Sequence, residues 1–398
     1  MGTLDTVRTA ILTKRGANRA RSGHPWIYRS DVAEASGEPG DAVRVADGAG
    51  RCLGTAFYNP RSEITLRIAD HRDVNLDRDW MRSRLHAAVA YRDTLTIDSE
   101  AYRLVHAEAD GIPGLVVDRY GPYAVLQVGS AAVERRLSWI VELLSEMPGV
   151  EGILLRGDTA SRKREGLSSR VERLCGEVPE SVVVREGSVG YVARLSEGQK
   201  TGGFLDQREN HLAAGRYAAD LRHAGRVLDV FSYAGLFALH AARSAPEAEV
   251  EAVDSSQGAL DAGAENARLN GLKNLNFTRS DAFDLLRARS RSGEAYDLIV
   301  LDPPAFAKGK RDLTKARRAY KEINLRAMNL LVPGGLLFTC SCSYHLSRQA
   351  FGETLASAAS DAGAAMRVRE WRGQSADHPE LLTVPETAYL KCAVLQRV

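Results

Sequence analysis

Cysteine is scarce in this chain of 398 residues, and what there is does not pair. The five cysteines (Cys52, Cys175, Cys340, Cys342, Cys392) are odd in number and widely scattered. That excludes a disulfide framework and predicts a reducing, cytoplasmic setting. Cys340 and Cys342 stand too close together for a zinc site, with no second Cys or His pair at a suitable spacing, so no metal is expected. Long apolar runs are missing. No stretch approaches the length of a membrane span, and residues 1–21 lack the apolar segment of a secretory signal. Repeats and low-complexity linkers are absent as well. Net charge is nearly absent (+2), so composition alone does not announce a polyanionic partner.

Lysine is also rare. Of 53 cationic residues only nine are lysine and 44 are arginine. Arginine is the better fork for phosphate, but GC-rich coding produces the same bias. Local clusters say more. Lys14, Arg15, Arg19 and Arg21 form an acid-free basic segment, and Arg162-Lys163-Arg164 another. Lys308, Lys310, Arg311, Lys315, Arg317 and Arg318 crowd around a single acid, Asp312. Each is a solvated surface unless something polyanionic docks there.

Length predicts two or three domains. Residues 1–75 carry short β-like runs (42–45, 51–58, 64–68) cut by glycines and read as a small β-rich module. Residues 76–189 begin with an amphipathic helix over 80–95. Strands at 102–107, 115–120 and 123–128, a helix over 131–145 and a strand at 152–156 follow, giving an α+β domain. Residues 190–398 alternate strand and helix: strands at 226–232, 250–254, 275–280, 296–301 and 335–342, each followed by a helix, then a closing hairpin of 366–371 and 388–396. The pattern predicts a doubly wound, Rossmann-like α/β sheet with a parallel core and an antiparallel end. Ligands bind such sheets at the carboxyl ends of the strands, where Asp229, Asp254, Asp281, Asp302 and Cys342 fall.

The first strand turns through Asp229-Val230-Phe231-Ser232-Tyr233-Ala234-Gly235. One turn glycine is too few for the three-glycine dinucleotide fingerprint, which brings backbone against a pyrophosphate at several points. S-adenosylmethionine has no phosphate and needs only one tight turn. Asp229, Phe231, Ser232 and Gly235 are therefore candidates to hold it. Asp254 could accept from the ribose hydroxyls and Asp281 from the adenine amine, although each acid alone reads as a helix cap.

After the fourth strand comes Asp302-Pro303-Pro304-Ala305-Phe306. Two prolines stop both ladder and helix, leaving an acid and rigid carbonyls at the sheet mouth, where a planar base edge could be gripped. Cys342 ends the next strand. A thiolate there could add to C6 of cytosine, and Asp302 could stabilise the ring at N3 while C5 takes a methyl group. Cys340 is the second choice, and a buried core cysteine is the default for either. Methylation of an exocyclic amine on guanine N2 or adenine N6 needs no thiol, but expects an aromatic directly after the prolines, where Ala305 stands. A non-catalytic RNA-binding protein on the same fold is a further alternative.

Several stretches resemble one known family. Gly23-His24-Pro25-Trp26-Ile27-Tyr28, Lys200-Thr201-Gly202-Gly203-Phe204-Leu205-Asp206-Gln207-Arg208, the Asp229–Gly235 turn, Leu301–Phe306, Ser341-Cys342-Ser343 and Ala376-Asp377-His378-Pro379 are similar, in order and spacing, to the bacterial large-subunit (23S) ribosomal RNA cytosine-C5 methyltransferases of the RlmI type. The resemblance covers nearly the whole chain. It implies a PUA domain, a central α+β domain and a class I methyltransferase domain using S-adenosylmethionine to form 5-methylcytosine. It also implies Cys342 rather than Cys340 as nucleophile. Pro303, Pro304, Phe306, Lys308, Lys310, Arg311, Gln207 and Arg208 become candidates for contact with rRNA. Many RNA cytosine-C5 enzymes carry a second cysteine in the Asp-Pro-Pro region that helps product release, and this chain has none there. Monomer and homodimer are both compatible with the sequence.

Overall fold

The computed structural model describes residues 8–198, 200–221, 225–307 and 309–398. Contacts group these into two units: one runs to Val184 and takes in Ala193–Leu205 and Ala376–Thr387, the other holds Arg185–Val192, Asp206–Ser375 and Ala388–Val398. Among the described residues no helix is long and apolar enough to cross a membrane.

The first unit opens with a six-stranded sheet of β1 (Thr9–Leu12), β2 (Trp26–Tyr28), β3 (Val32–Glu34), β4 (Ala42–Ala46), β5 (Cys52–Tyr58) and β6 (Ile64–Asp70), in the order β2-β6-β5-β4-β1-β3. Alternating residues such as Val43, Val45 and Leu66 fill its core. Gly54, at φ 133°, sits where the β4–β5 register slips, and a Cβ there would lie 2.3 Å from the Asp70 carbonyl oxygen. Helix α1 (Lys14–Arg21) turns the basic segment into one face, with Thr13 as its cap. Its arginines are engaged: Arg15 pairs with Asp31, Arg21 with Asp47, and Arg19 donates to the Trp26 carbonyl.

A five-stranded sheet follows, of β7 (Ala101–His106), β8 (Leu115–Tyr120), β9 (Tyr123–Val128), β10 (Gly152–Arg156) and β11 (Val171–Gly176), with helices α2 (Arg78–Asp93), α3 (Ala131–Arg135), α4 (Leu137–Ser145) and α5 (Ala160–Arg164). The single helix expected over 131–145 is in fact two. Arg136 leaves helical geometry (φ −108°, ψ 11°), and its guanidinium bonds the Gly40 and Ala132 carbonyls. The Ala193–Leu205 and Ala376–Thr387 segments brace this unit. Thr201 donates to Asp118 at 2.6 Å, and the Arg103 amide donates to Asp377 at 2.7 Å.

A hairpin of β12 (Ser181–Glu186) and β13 (Val189–Arg194) precedes the second large sheet. That sheet holds β14 (Arg226–Val230), β15 (Glu249–Asp254), β16 (Leu275–Arg279), β17 (Tyr296–Leu301), β18 (Leu331–Ser341), β19 (Met366–Arg372) and β20 (Lys391–Arg397), in the order β16-β15-β14-β17-β18-β20-β19. Strands β14 to β18 are parallel, and β20 and β19 run antiparallel at the end. The intervening helices are α6 (Arg208–Ala219), α7 (Leu236–Ser244), α8 (Gln257–Leu269), α9 (Ala282–Ser292), α10 (Leu313–Leu330) and α11 (Arg348–Asp361). Both faces of the sheet are covered, as parallel strands require, by two separate apolar clusters.

Asp118 tests the bracing of the first unit. It is fully buried and takes both Arg103 nitrogens (2.7 and 2.9 Å) besides Thr201. Asp118→Ala leaves the buried Arg103 guanidinium without this carboxylate, and urea denaturation should show a loss of about 3–5 kcal/mol. Removing both charges together (Arg103→Met with Asp118→Leu) should recover most of it.

Candidate active site

Every strand from β16 to β18 points its carboxyl end at the same edge, and the candidate residues follow that edge. Asp254 is the last residue of β15, Asp229 the penultimate residue of β14, and Asp302 and Cys342 come directly after β17 and β18. At roughly 4.8 Å per strand, the row from Asp281 to Cys342 spans roughly 20 Å. A nucleoside-sized cofactor and a base fit side by side along that length.

The β14–α7 turn is wound tightly. Phe231 (φ 64°), Tyr233 (φ 49°) and Gly235 (φ 74°) all adopt left-handed backbone, and for the two aromatics this costs energy that only the surroundings can hold. The Tyr233 amide donates to Asp254 at 2.9 Å, and the Ser256 amide takes the other Asp254 oxygen at 2.9 Å. The Gly235 hydrogen faces Phe277, whose ring a Cβ would approach to 3.2 Å.

Asp229 is fully buried beneath this turn. One carboxyl oxygen accepts the Ala238 amide at 3.2 Å; among the described residues the other has no partner, and neither does the buried Ser232 hydroxyl. Burial pushes the Asp229 carboxyl up to about 8; the Ala238 amide opposes the rise, and the nearby Asp302 and Asp254 add to it. Two orphaned buried polar atoms beside a strained turn fit a ligand that brings donors of its own, such as the amino acid end of S-adenosylmethionine. Asp281 lies beyond the end of β16 rather than on it, and one of its oxygens caps α9 by accepting the Phe283 and Asp284 amides.

On the other side of Asp229, the Asp302 amide donates to the Val230 carbonyl at 3.3 Å. Cys342 reaches the same loop, its Sγ 3.9 Å from the Pro303 carbonyl oxygen. Its neighbours are locked. The Tyr320 hydroxyl bonds both Ser341 and Ser343 at 3.0 Å, and Ser343 Oγ accepts the Ala307 amide. Cys340 points elsewhere: it is fully buried, and its hydrogen bond with Cys392, together with burial, pushes its thiol well up.

Pro304 is exposed, whereas Phe306 is half-buried and packs against Tyr320 (4.7 Å between centroids), Phe283 and Phe231. Gln207 and Arg208 are 3% and 1% exposed, and Gln207 accepts from Asn210 at 2.6 Å, so both sit inside the fold. Arg311, Lys315 and Arg318 are exposed; Arg317 pairs with Glu353. Lys308 lies outside the described residues, and of Lys310 only its place in a short 3-10 turn is described.

Two residues were missed from sequence. Tyr344, two positions past Cys342, is 48% exposed. Lys391 on β20 lies opposite Ser341 and is 5% exposed; its Nζ donates to the Ser343 and Tyr389 carbonyls at 2.8 Å each. Burial pulls the Lys391 ammonium down to about 8, and negative charge at Cys342 works against that fall. The one signal in the sequence was a rare lysine inside an otherwise apolar strand.

The raised Asp229 carboxyl has a consequence for stability. With its folded value near 8 against an ordinary value near 4, the folded state holds a proton that the unfolded state releases. The stabilisation is complete below pH 4 and is lost as pH rises towards 8. Asp229→Asn mimics the protonated form. Its melting temperature relative to the unsubstituted protein should rise steadily from pH 5 to pH 8, and a difference independent of pH would contradict the assignment.

Comparison with known proteins meets this geometry. Residues 156–394 match the family model for S-adenosylmethionine-dependent methyltransferases, and residues 10–70 match a PUA-like domain. Ribosomal RNA large subunit methyltransferase I of Erwinia tasmaniensis is 38% identical over 394 residues, covering 97% of this chain and 98% of that one. The enzyme of the same name from Aeromonas salmonicida is 40% identical over 381 residues, 94% and 95% of the two chains. A solved methyltransferase structure in complex with SAH superposes with a TM-score of 0.84 at 20% identity, over 98% of this chain and 99% of its own. A strained one-glycine turn over a buried acid and a thiol beside an Asp-Pro-Pro loop thus stand in a chain that belongs, over nearly its full length, to the S-adenosylmethionine-dependent ribosomal RNA large subunit methyltransferase I family.

Proposed function

We propose that the chain methylates C5 of a cytosine in large-subunit (23S) rRNA, with Cys342 as covalent nucleophile and Asp302 as the acid at N3. The observation that carries this reading is the approach of Cys342 Sγ to the Pro303 carbonyl, which sets a thiol and an acid at adjoining strand ends. S-adenosylmethionine, when bound, supplies an electrophilic methyl group; Asp229, Ser232, Gly235 and Asp254 are the residues proposed to hold it. The Cys342 thiolate bonds to C6, the C5=C6 pair moves to C4=C5, and N3 takes a proton from Asp302. C5 is then nucleophilic enough to accept a methyl group. Loss of the C5 proton to base expels the thiolate and restores the ring, while N3 returns its proton to Asp302.

Lys391 supports the first step. Its ammonium, held by the Ser343 and Tyr389 carbonyls, fixes the loop that carries Cys342 and favours a thiolate there. Exposed Tyr344 and Pro304, rather than the inward Phe306, offer the flat surfaces for the base. In the three-part division, residues 1–75 and 76–189 bring RNA and residues 190–398 carry the chemistry. Arg311, Lys315 and Arg318 beside the Asp-Pro-Pro loop are the proposed phosphate contacts of that last part.

Cys342→Ala should abolish turnover yet bind S-adenosylmethionine and RNA normally by calorimetry and filter binding. Cys340→Ala should keep most activity. RNA carrying 5-fluorocytosine should trap the unsubstituted enzyme as a covalent adduct, because fluorine cannot leave as a proton. An active Cys342→Ala enzyme that yields N-methylated purines would transfer the assignment to amine methylation.

The charge on Lys391 is present below about pH 8 and lost above it. The rate should therefore decline as pH rises through about 8. Lys391→Met should remove that alkaline decline and move the acid limb of the kcat profile to higher pH. An unchanged profile would leave Lys391 a purely structural residue.

A further inference from the structure

A second cavity lies far along the sequence from Cys342, wholly within the first unit. Its volume is about 770 Å³, within the usual range for ligand sites. Trp26 and Tyr28 of β2, Ile64 and Arg67 of β6, and Arg61 and Arg164 line it, together with Val116 of β8 and Gln127 of β9.

The aromatic wall is fixed before any ligand arrives. The Trp26 indole N–H donates to Glu108 at 2.9 Å, and the Arg67 guanidinium lies 6.0 Å from the Trp26 ring centre. The Arg19 guanidinium stands 5.0 Å from the Tyr28 ring centre and donates to the Trp26 carbonyl. Rings held this way lose little entropy when a flat ligand stacks on them.

The charges divide in two. Arg67 pairs with Glu108 (3.2 Å) and Glu165 (3.0 Å), and its buried Nε has no acceptor among the described residues. Arg61 and Arg164 are exposed, and neither side chain has a hydrogen-bond or ion-pair partner among the described residues. Glu63, the one exposed acid of the lining, lies 3.9 Å from Arg29. The cavity thus offers a stacking face and two unneutralised guanidinium groups.

We propose that this cavity receives an unpaired nucleotide of the RNA substrate, its base against Trp26 and Tyr28 and its flanking phosphates on Arg61 and Arg164. A paired base cannot present its face, whereas a splayed one can stack on the two rings. Forked guanidinium groups suit phosphate better than any other side chain. The inference rests on the reading of the chain as an rRNA methyltransferase. It adds a recognition point separate from the cytosine being modified.

The test uses the full chain and in-vitro-transcribed 23S rRNA. Arg61→Gln combined with Arg164→Gln changes only exposed side chains. It should raise the KM for RNA about tenfold at unchanged kcat and lower the slope of log Kd against log salt by about 1.4, the value for two single-strand phosphates. Trp26→Leu should weaken RNA to a similar degree with its salt slope intact, since stacking carries no charge. Photocrosslinking of 4-thiouridine-substituted RNA should label peptides containing Trp26 or Tyr28. Unchanged KM and salt slope in the double arginine variant, with methylation normal, would overturn the cavity assignment and leave the activity standing. An unsubstituted enzyme that methylates no RNA would overturn the underlying reading and this one with it.

Discussion

The parallel ladder β15-β14-β17-β18 is the constraint on which the site depends. Val230 pairs with Val253 on one side and with Leu301 on the other, and Leu301 pairs with Thr339. With those rungs set, Asp302 emerges next to the β14 turn, and β18, which runs two residues past the Leu301–Thr339 rung, brings Cys342 to the Pro303 carbonyl of the same loop. A slip of one residue in β17 would turn Asp302 to the opposite face. The fully buried run Leu298–Leu301, apolar on both faces, resists that slip only through its flanking clusters and the bond from the Asp302 amide to Val230. Chemistry at this edge is therefore inherited from packing on both faces of the sheet.

The same edge collects unfavourable terms. Two aromatic residues hold left-handed backbone, a carboxyl is buried with one oxygen unmet, and a lysine is sunk against carbonyls. None of these helps the folded chain by itself. Each has a meaning as preparation for a ligand or for a charge that appears during the reaction, which is why strain of this kind concentrates at functional sites. The site is stable because large apolar clusters above and below the sheet tolerate it.

What the sequence disclosed was periodic. Strand after strand ending in Asp or Cys gave the sheet, its parallel core, its antiparallel end and the row of candidate residues. What it hid depended on tertiary neighbours. Gln207 and Arg208 read as a polar, RNA-facing pair, but α6 begins at Arg208 and both side chains are buried. Phe306 follows two prolines like a platform residue, yet Tyr320 and Phe283 draw it inward. Arg136 breaks a helix whose pattern is continuous, because the Gly40 carbonyl, 96 positions away, takes its guanidinium. Lys391 acquires its neighbours only when β20 inserts antiparallel between β18 and β19, a sheet order that no local pattern encodes.

The division of the chain into two units also bears on synthesis. The first unit draws on Ala193–Leu205 and Ala376–Thr387 as well as its long opening stretch, and Asp377 ties the last of these to the backbone of β7. Chains are made from the amino terminus, and domains ordinarily fold as they emerge. Here the opening sheets must wait for a strap that is made only after the whole Asp206–Ser375 segment of the other unit. Until that strap arrives, the Arg103 amide lacks its acceptor and the methyltransferase sheet lacks β20. Neither unit therefore reaches its final form until residues 376–398 have been made, so the two are completed together rather than one after the other.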